Sequence, residues 1–199
     1  MKSLPLLFLN AGLASAALDD RSAAVETYAV DKVHSQVTFQ VRHMLSRTRG
    51  RFTDFDGAIH LDREHPESSS VEFRVRAASI DTDNAQRDEH LRSGDFFSAE
   101  EYPEVIFRSE RVNVVAKDRY EVTGTLSMRG VQKRIVLPVT FLGTATDPWG
   151  NVKAGFATEA VLNRKDFGMV WNAALDNGGF LLGDEVTVTI ELETARQNS

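Results

Sequence analysis

The side chains able to do chemistry in this chain are scattered rather than gathered. Histidine is the natural acid, base or metal ligand near neutral pH. The five histidines stand at positions 34, 43, 60, 65 and 90, and none follows another at H-x-H or H-x-x-x-H spacing. A metal centre would therefore have to be assembled across strands, and none is assigned. There is no cysteine, which excludes thiolate ligands, disulfides and a lipid anchor on an N-terminal cysteine. Motifs for dinucleotides, nucleoside triphosphates and acyl transfer are absent too: no G-x-G-x-x-G, no Walker lysine loop and no G-x-S-x-G elbow. The densest polar constellation is Arg87, Asp88 and His90. A lipid-modifying enzyme would need His43 or His90 beside an acid inside a cavity. Carboxylates such as Glu185, Glu191 and Glu193 fall on the polar phase of an alternating stretch, where a solvated surface explains them. No catalytic residue and no cofactor is assigned, and the chain reads as a non-enzyme.

The positioning elements are mostly strands. Val37, Phe39, Val41 and His43 share one phase, with Thr38, Gln40 and Arg42 in the other, the pattern of a half-buried antiparallel strand. His43 reads as a core or rim residue. From Arg51 to Leu61 the phase switches between Phe52 and Phe55, which predicts a bulge near Asp54. Further alternating runs are Val71 to Val75, Val105 to Phe107, Tyr120 to Met128, Ile135 to Phe141, Val152 to Leu162 and Val186 to Leu192. A tight connection around Arg129 and Gly130 makes the runs on either side a hairpin.

One long segment, 79–103, breaks the alternation. Asp83 with Gln86 three residues on forms a capping-box pattern, and Gly94 offers a left-handed stop, so a helix is predicted over 84–92. Asp88 and Arg92 are spaced to pair along it. Leu91, Phe96 and Phe97 would fix this insertion, spanning 83–101, to the strands. Downstream, Arg164 and Asp166 precede Phe167 and Gly168, a grouping that fits an ion pair holding a turn or the rim of a cavity.

About eight alternating strands with one helical insertion predict an all-β protein. A closed eight-stranded antiparallel barrel is the first choice and a two-sheet sandwich the second, because closure removes exposed edges. Such a barrel is either filled by its own side chains or holds one small ligand. Alternation does not choose between them.

Composition bounds the rest. The chain has 199 residues, 42% hydrophobic and 26% charged, the balance of one globular domain. Its net charge of −6 argues against nucleic acid as a partner. Lys2, an apolar run from Leu4 to Leu13 and Ala14-Ser15-Ala16 fit a secretory signal peptide over 1–16. A spacer over 17–26 and a barrel over 27–195 follow, and the expected address is the periplasm or the exterior.

Tyr28-x-Val30-Asp31-x-x-His34-Ser35, Phe39-x-Val41-x-His43 and Gly50-x-Phe52-x-x-Phe55-x-Gly57 occur in order with Ile80-Asp81-Thr82, Arg87-Asp88-x-His90-Leu91, Asp95-Phe96-Phe97, Tyr102-Pro103, Gly124-x-Leu126 and Arg164-x-Asp166-Phe167-Gly168. The ordered set resembles the YceI-like family of exported, lipocalin-like barrels. Ser127-Met128-Arg129-Gly130 departs from the threonine-rich form of that turn. The resemblance implies an apolar interior that takes a polyisoprenoid chain, such as a quinone tail or a polyprenol. It also implies a link to membrane cytochromes. A homodimer is the mild default for assembly. By strand phase the wall of such an interior would be Phe39, Val41, Phe73, Val75, Phe107, Val122, Leu126, Leu137, Val139, Phe156 and Val188, with Phe167 and Trp171 at its mouth.

Overall fold

The computed structural model describes residues 25–174 and 180–197. The signal peptide expected over 1–16, and most of the spacer, lie outside the described residues.

Among the described residues, eleven strand segments form a single antiparallel sheet that closes on itself. They are β1 (Glu26–Val30), β2 (Gln36–His43), β3 (Ser46–Phe52), β4 (Phe55–Leu61), β5 (Ser70–Arg76), β6 (Ile80–Asp81), β7 (Glu104–Ala116), β8 (Arg119–Met128), β9 (Val131–Thr146), β10 (Val152–Asn163) and β11 (Leu182–Arg196). β1 with β2, β3 with β4, and β5 with β6 are each one pass of the chain with a break in it, so the barrel has eight staves in sequence order. β11 closes it, pairing β2 through Leu182–Glu191 and β1 through Thr194–Arg196.

Two of these breaks are fixed by identifiable hydrogen bonds. Between β1 and β2, the Asp31 carboxylate accepts the Val33 N–H at 3.1 Å. The Ser35 hydroxyl donates to the Glu193 carbonyl and accepts its N–H, both at 3.0 Å, which pins the break against β11. Between β3 and β4 the chain steps out of register at Thr53 and Asp54, where the phase switch placed a bulge. Their backbone bonds go instead to Ser79 and Arg76. Across β8 and β9, Arg129 and Gly130 both have positive φ, 50° and 72°, the requirement of a two-residue type I′ hairpin.

β6 would leave a bare edge, and the helix α1 (Ala85–Arg92) covers it. Leu91 is the only large apolar residue of α1, so polar groups hold the helix in place. Asp88, 6% exposed, accepts the Thr82 N–H at 2.9 Å and the Thr82 hydroxyl at 2.5 Å. Arg87 donates to the Thr82 hydroxyl oxygen and carbonyl at 2.7 and 2.8 Å. Arg92 donates to the carbonyls of Ala78 and Ile80 at 2.7 and 2.8 Å, doing for this edge what a neighbouring strand would do.

Three local expectations are corrected here. Asn84, not Asp83, caps α1, accepting the Arg87 N–H at 2.9 Å. Asp83 has φ 58°, whereas a capping residue needs an extended backbone, which Asn84 has at φ −150°. Gly94 is not the helix stop: α1 ends on Ser93 in extended conformation, and Ser98 takes the left-handed turn at φ 47°. Asp88 and Arg92 do not pair, because Thr82 and the β6 edge claim them. The predicted anchors do serve. Phe96 is buried against Phe107, Leu126, Met128 and Phe167, with Leu91 and Phe97 packed around them.

Candidate functional site

Beneath α1 the barrel is hollow, with a cavity of about 560 Å³, inside the range of small-molecule sites. A second cavity of about 260 Å³ lies toward the other end. The two share Phe73, Phe107, Leu137, Thr158 and Ile190 as a common waist.

The eleven wall residues named from strand phase and the two expected at the mouth all line these spaces. Phe39, Val41, Phe73, Val75, Phe107, Leu126, Leu137, Val188, Phe167 and Trp171 face the larger cavity. Val122, Val139 and Phe156 face the smaller. Phe167 is not at the mouth, since it is only 2% exposed and packs deep under Phe96. Trp171 does lie beside α1, its ring edge-on to His90 at 4.9 Å.

The barrel stays hollow because of how its aromatics are seated. Phe107 pairs across the sheet with a flanking strand in the register Phe107 to Leu126, and its ring leans onto Gly124, where a Cβ would stand 2.6 Å from Phe107 Cζ. Phe73 lies directly opposite Gly57, where a Cβ would stand 2.8 Å from its ring. Phe39 lies directly opposite Gly50 in the same way. A glycine inside a strand marks a close approach; each one gives a phenyl ring room to lie along the sheet, and at Gly57 and Gly124 the backbone carbonyls of Glu72 and Arg108 crowd the same space. Strand phase missed this role, although an inward-phase glycine was the available signal.

Besides Arg164, and besides Asp62, Arg63, Ser69, Ser70 and Asp118 around the smaller cavity, polar groups reach the lumen in two places. The capping Asn84, with Gln86, Arg87 and His90 of α1, faces His43 and Thr48 of the β2–β3 hairpin around the cavity. His90 Nε2 lies 2.9 Å from Asp95 Oδ2, the only hydrogen bond of that ring among the described residues. The other place is the waist, where the Thr158 hydroxyl is buried without a partner among the described residues. Thr158 shares the inward phase of Phe156 and Leu162, so the alternation of β10 could have found it.

Arg164 is buried at 4% exposure and lines the larger cavity. It does not pair with Asp166. Its guanidinium donates to the carbonyls of Gly183, Met169 and Trp171 at 2.9, 2.5 and 2.8 Å, and to Asp184 at 3.2 Å. Burial pushes its pKa down while Asp184 opposes that shift. Asp166 pairs with Lys133 at 2.8 Å instead. Arg164 thus ties the segment leading to Trp171 onto β11.

One cluster with metal-ligand chemistry lies away from the lumen. Asp31, His34 and Glu193 bring their ligand atoms within 4.8 Å of one another. The Lys153 ammonium sits there, 2.7 Å from Asp31 and 3.3 Å from Glu193. It supplies the cation, and with the His34 hydrogen bond it holds the Asp31 carboxyl well below the usual carboxylate range. The knot fastens the β1–β2 break onto β10 and β11.

The chain aligns over 93% of its length with a UPF0312 protein of Azotobacter vinelandii, covering 95% of that protein at 37% identity. A UPF0312 protein of Pseudomonas savastanoi is 39% identical over 84% of this chain and 87% of its own. Among solved structures, the Campylobacter jejuni YCEI protein superposes with a TM-score of 0.68 at 30% identity, covering 85% of this chain and 97% of that one. A polyisoprenoid binding domain from Saccharophagus degradans shares the fold, with a TM-score of 0.62 at 16% identity over 85% of this chain and 98% of that one. The family model described as a YceI-like domain matches residues 28–194. With that match spanning all but the outermost two residues at either end of the barrel, the chain belongs to the YceI-like family.

Proposed function

We propose that this protein is a non-catalytic carrier of a long isoprenoid lipid, a polyprenol or the tail of a quinone, held in the barrel lumen. The observation that carries this reading is the hollow, apolar interior kept open by phenyl rings seated over glycines. Inward-facing Leu137, Val139, Leu162, Val188 and Ile190 are only part-buried, so apolar surface is left for a ligand to cover. Each methylene moved from water onto such a wall contributes about 0.8 kcal/mol. An isoprenoid offers little besides apolar surface, so affinity would grow with the length of chain inside. The polar groups of α1 and the β2–β3 hairpin would meet its head group.

Family membership supports the same reading, as does the fold shared with a domain described as polyisoprenoid binding. The thirteen lining residues are the proposed ligand contacts. Residues 1–16 support export, and the periplasm is the proposed address. A membrane cytochrome is the proposed recipient if the cargo is a quinone.

The test is extraction of the purified protein with organic solvent and mass spectrometry of the extract, followed by add-back of a quinone and a polyprenol to stripped protein. An isoprenoid in the extract, or uptake on add-back, is the expected result. Protein that is lipid-free and takes up neither would sink the proposal.

A further inference from the structure

The β2–β3 hairpin carries surface features that the lumen does not use. Its two-residue tip is Met44-Leu45, and Leu45 is 91% exposed. Met44 has φ 45°, a conformation in which hairpins usually place glycine, yet a large apolar side chain is kept there. The Met44 N–H donates to the Leu181 carbonyl at 2.9 Å, which sets the tip beside exposed Phe180. Behind the tip the outward face is basic. Arg42 lies directly opposite Arg47, and Gln40 opposite Arg49. None of these three arginines makes an ion pair among the described residues, whereas Arg51 is matched by Asp81 at 2.6 Å. Residues 32–53 contain no Asp or Glu, in a chain whose net charge is −6. Two like charges placed directly across a strand pair destabilise a sheet, so this arrangement costs stability in the barrel by itself.

We propose that this hairpin docks its own end of the barrel, the end that carries α1, onto an anionic lipid bilayer. Narrow apolar prongs with arginines just behind them suit the interface, where side chains enter the acyl boundary and cations meet anionic head groups. The same hairpin contributes His43 and Thr48 to the lumen, so docking sets the cavity against the membrane. The inference stands on the outer surface alone and holds whatever the lumen carries.

Flotation of the purified chain with vesicles of phosphatidylcholine, alone or mixed with phosphatidylglycerol, tests it at low and high salt. Binding is expected on the anionic vesicles and is lost at high salt. Arg42→Gln, Arg47→Gln and Arg49→Gln should each weaken it about fivefold, and Leu45→Ser about tenfold. Arg119→Gln, at the β7–β8 turn on the opposite end, should leave it unchanged. Relief of the like-charge pair predicts that Arg47→Gln melts at the same temperature or higher, so its lost binding cannot be misfolding. Equal binding to neutral and anionic vesicles, no vesicle binding at all, or an equal loss in Arg119→Gln would overturn the proposal. So would dimerisation that Leu45→Ser abolishes in a protein that ignores vesicles.

Discussion

The Phe39 ring lies over Gly50 so closely that a Cβ on the glycine would stand 2.5 Å from Phe39 Cζ. The two residues face each other across β2 and β3, and the clash would involve side chains only, Phe39 and the Thr82 methyl. Gly50→Ala should therefore swing the ring toward the lumen at a cost of about 1–3 kcal/mol. Calorimetry reads the stability, and cargo capacity should fall with it. Adding Phe39→Leu should restore much of both, which a general folding defect would not allow.

Leu91 is the one large apolar side chain of α1, packed with Phe96 against the core. Leu91→Asp puts a carboxylate there, while Asp88 and Arg92 still tie the helix to Thr82 and β6. The helix should loosen rather than the barrel unfold, and the dissociation rate of bound lipid should rise by about tenfold or more. Retention equal to that of the parent protein would remove α1 from the role of lid.

Arg164 serves three carbonyls and Asp184 from a buried position. Arg164→Met keeps the bulk and removes every donor, leaving those acceptors unpaired. The expected loss is about 3–5 kcal/mol, seen in urea unfolding as a lower midpoint at unchanged slope. Because Trp171 is held through this arginine, its fluorescence should also shift in the folded state.

Asp31 gives the fold an acid-sensitive joint. Lys153 and His34 depress its pKa below the ordinary 3.8. The unfolded chain therefore takes up this proton first as pH falls. The contribution is fully present above about pH 5 and is lost progressively as pH drops through the lower folded value. Melting temperature measured from pH 5 down to pH 2 should fall less steeply in Asp31→Asn, which starts lower and has no proton to gain.

The faces of the strands were legible because alternation states which side chains point inward. The switch between Phe52 and Phe55 likewise located the break at Thr53 and Asp54. Hollow or filled was not legible: it depends on Phe39 meeting Gly50, Phe73 meeting Gly57 and Phe107 meeting Gly124, pairs fixed by register between strands. A one-residue slip would separate each pair. Partners of charged side chains were hidden for the same reason. Asp166 stands two residues from Arg164 in sequence, but Asp184 on β11 is the residue folding brings to it, and Thr82 draws Asp88 away from Arg92. Asp83 and Asn84 are both good capping residues, and only the left-handed backbone at Asp83 decides between them.

The central claim is that an isoprenoid chain occupies the lumen, and binding of polyprenols of increasing length tests it most directly. Titration calorimetry on lipid-stripped protein should show affinity rising with each added isoprene unit and a heat-capacity change growing more negative in step, until the chain has passed the Thr158 waist and filled both cavities. Affinity that does not depend on chain length, or is set by the head group alone, would contradict it.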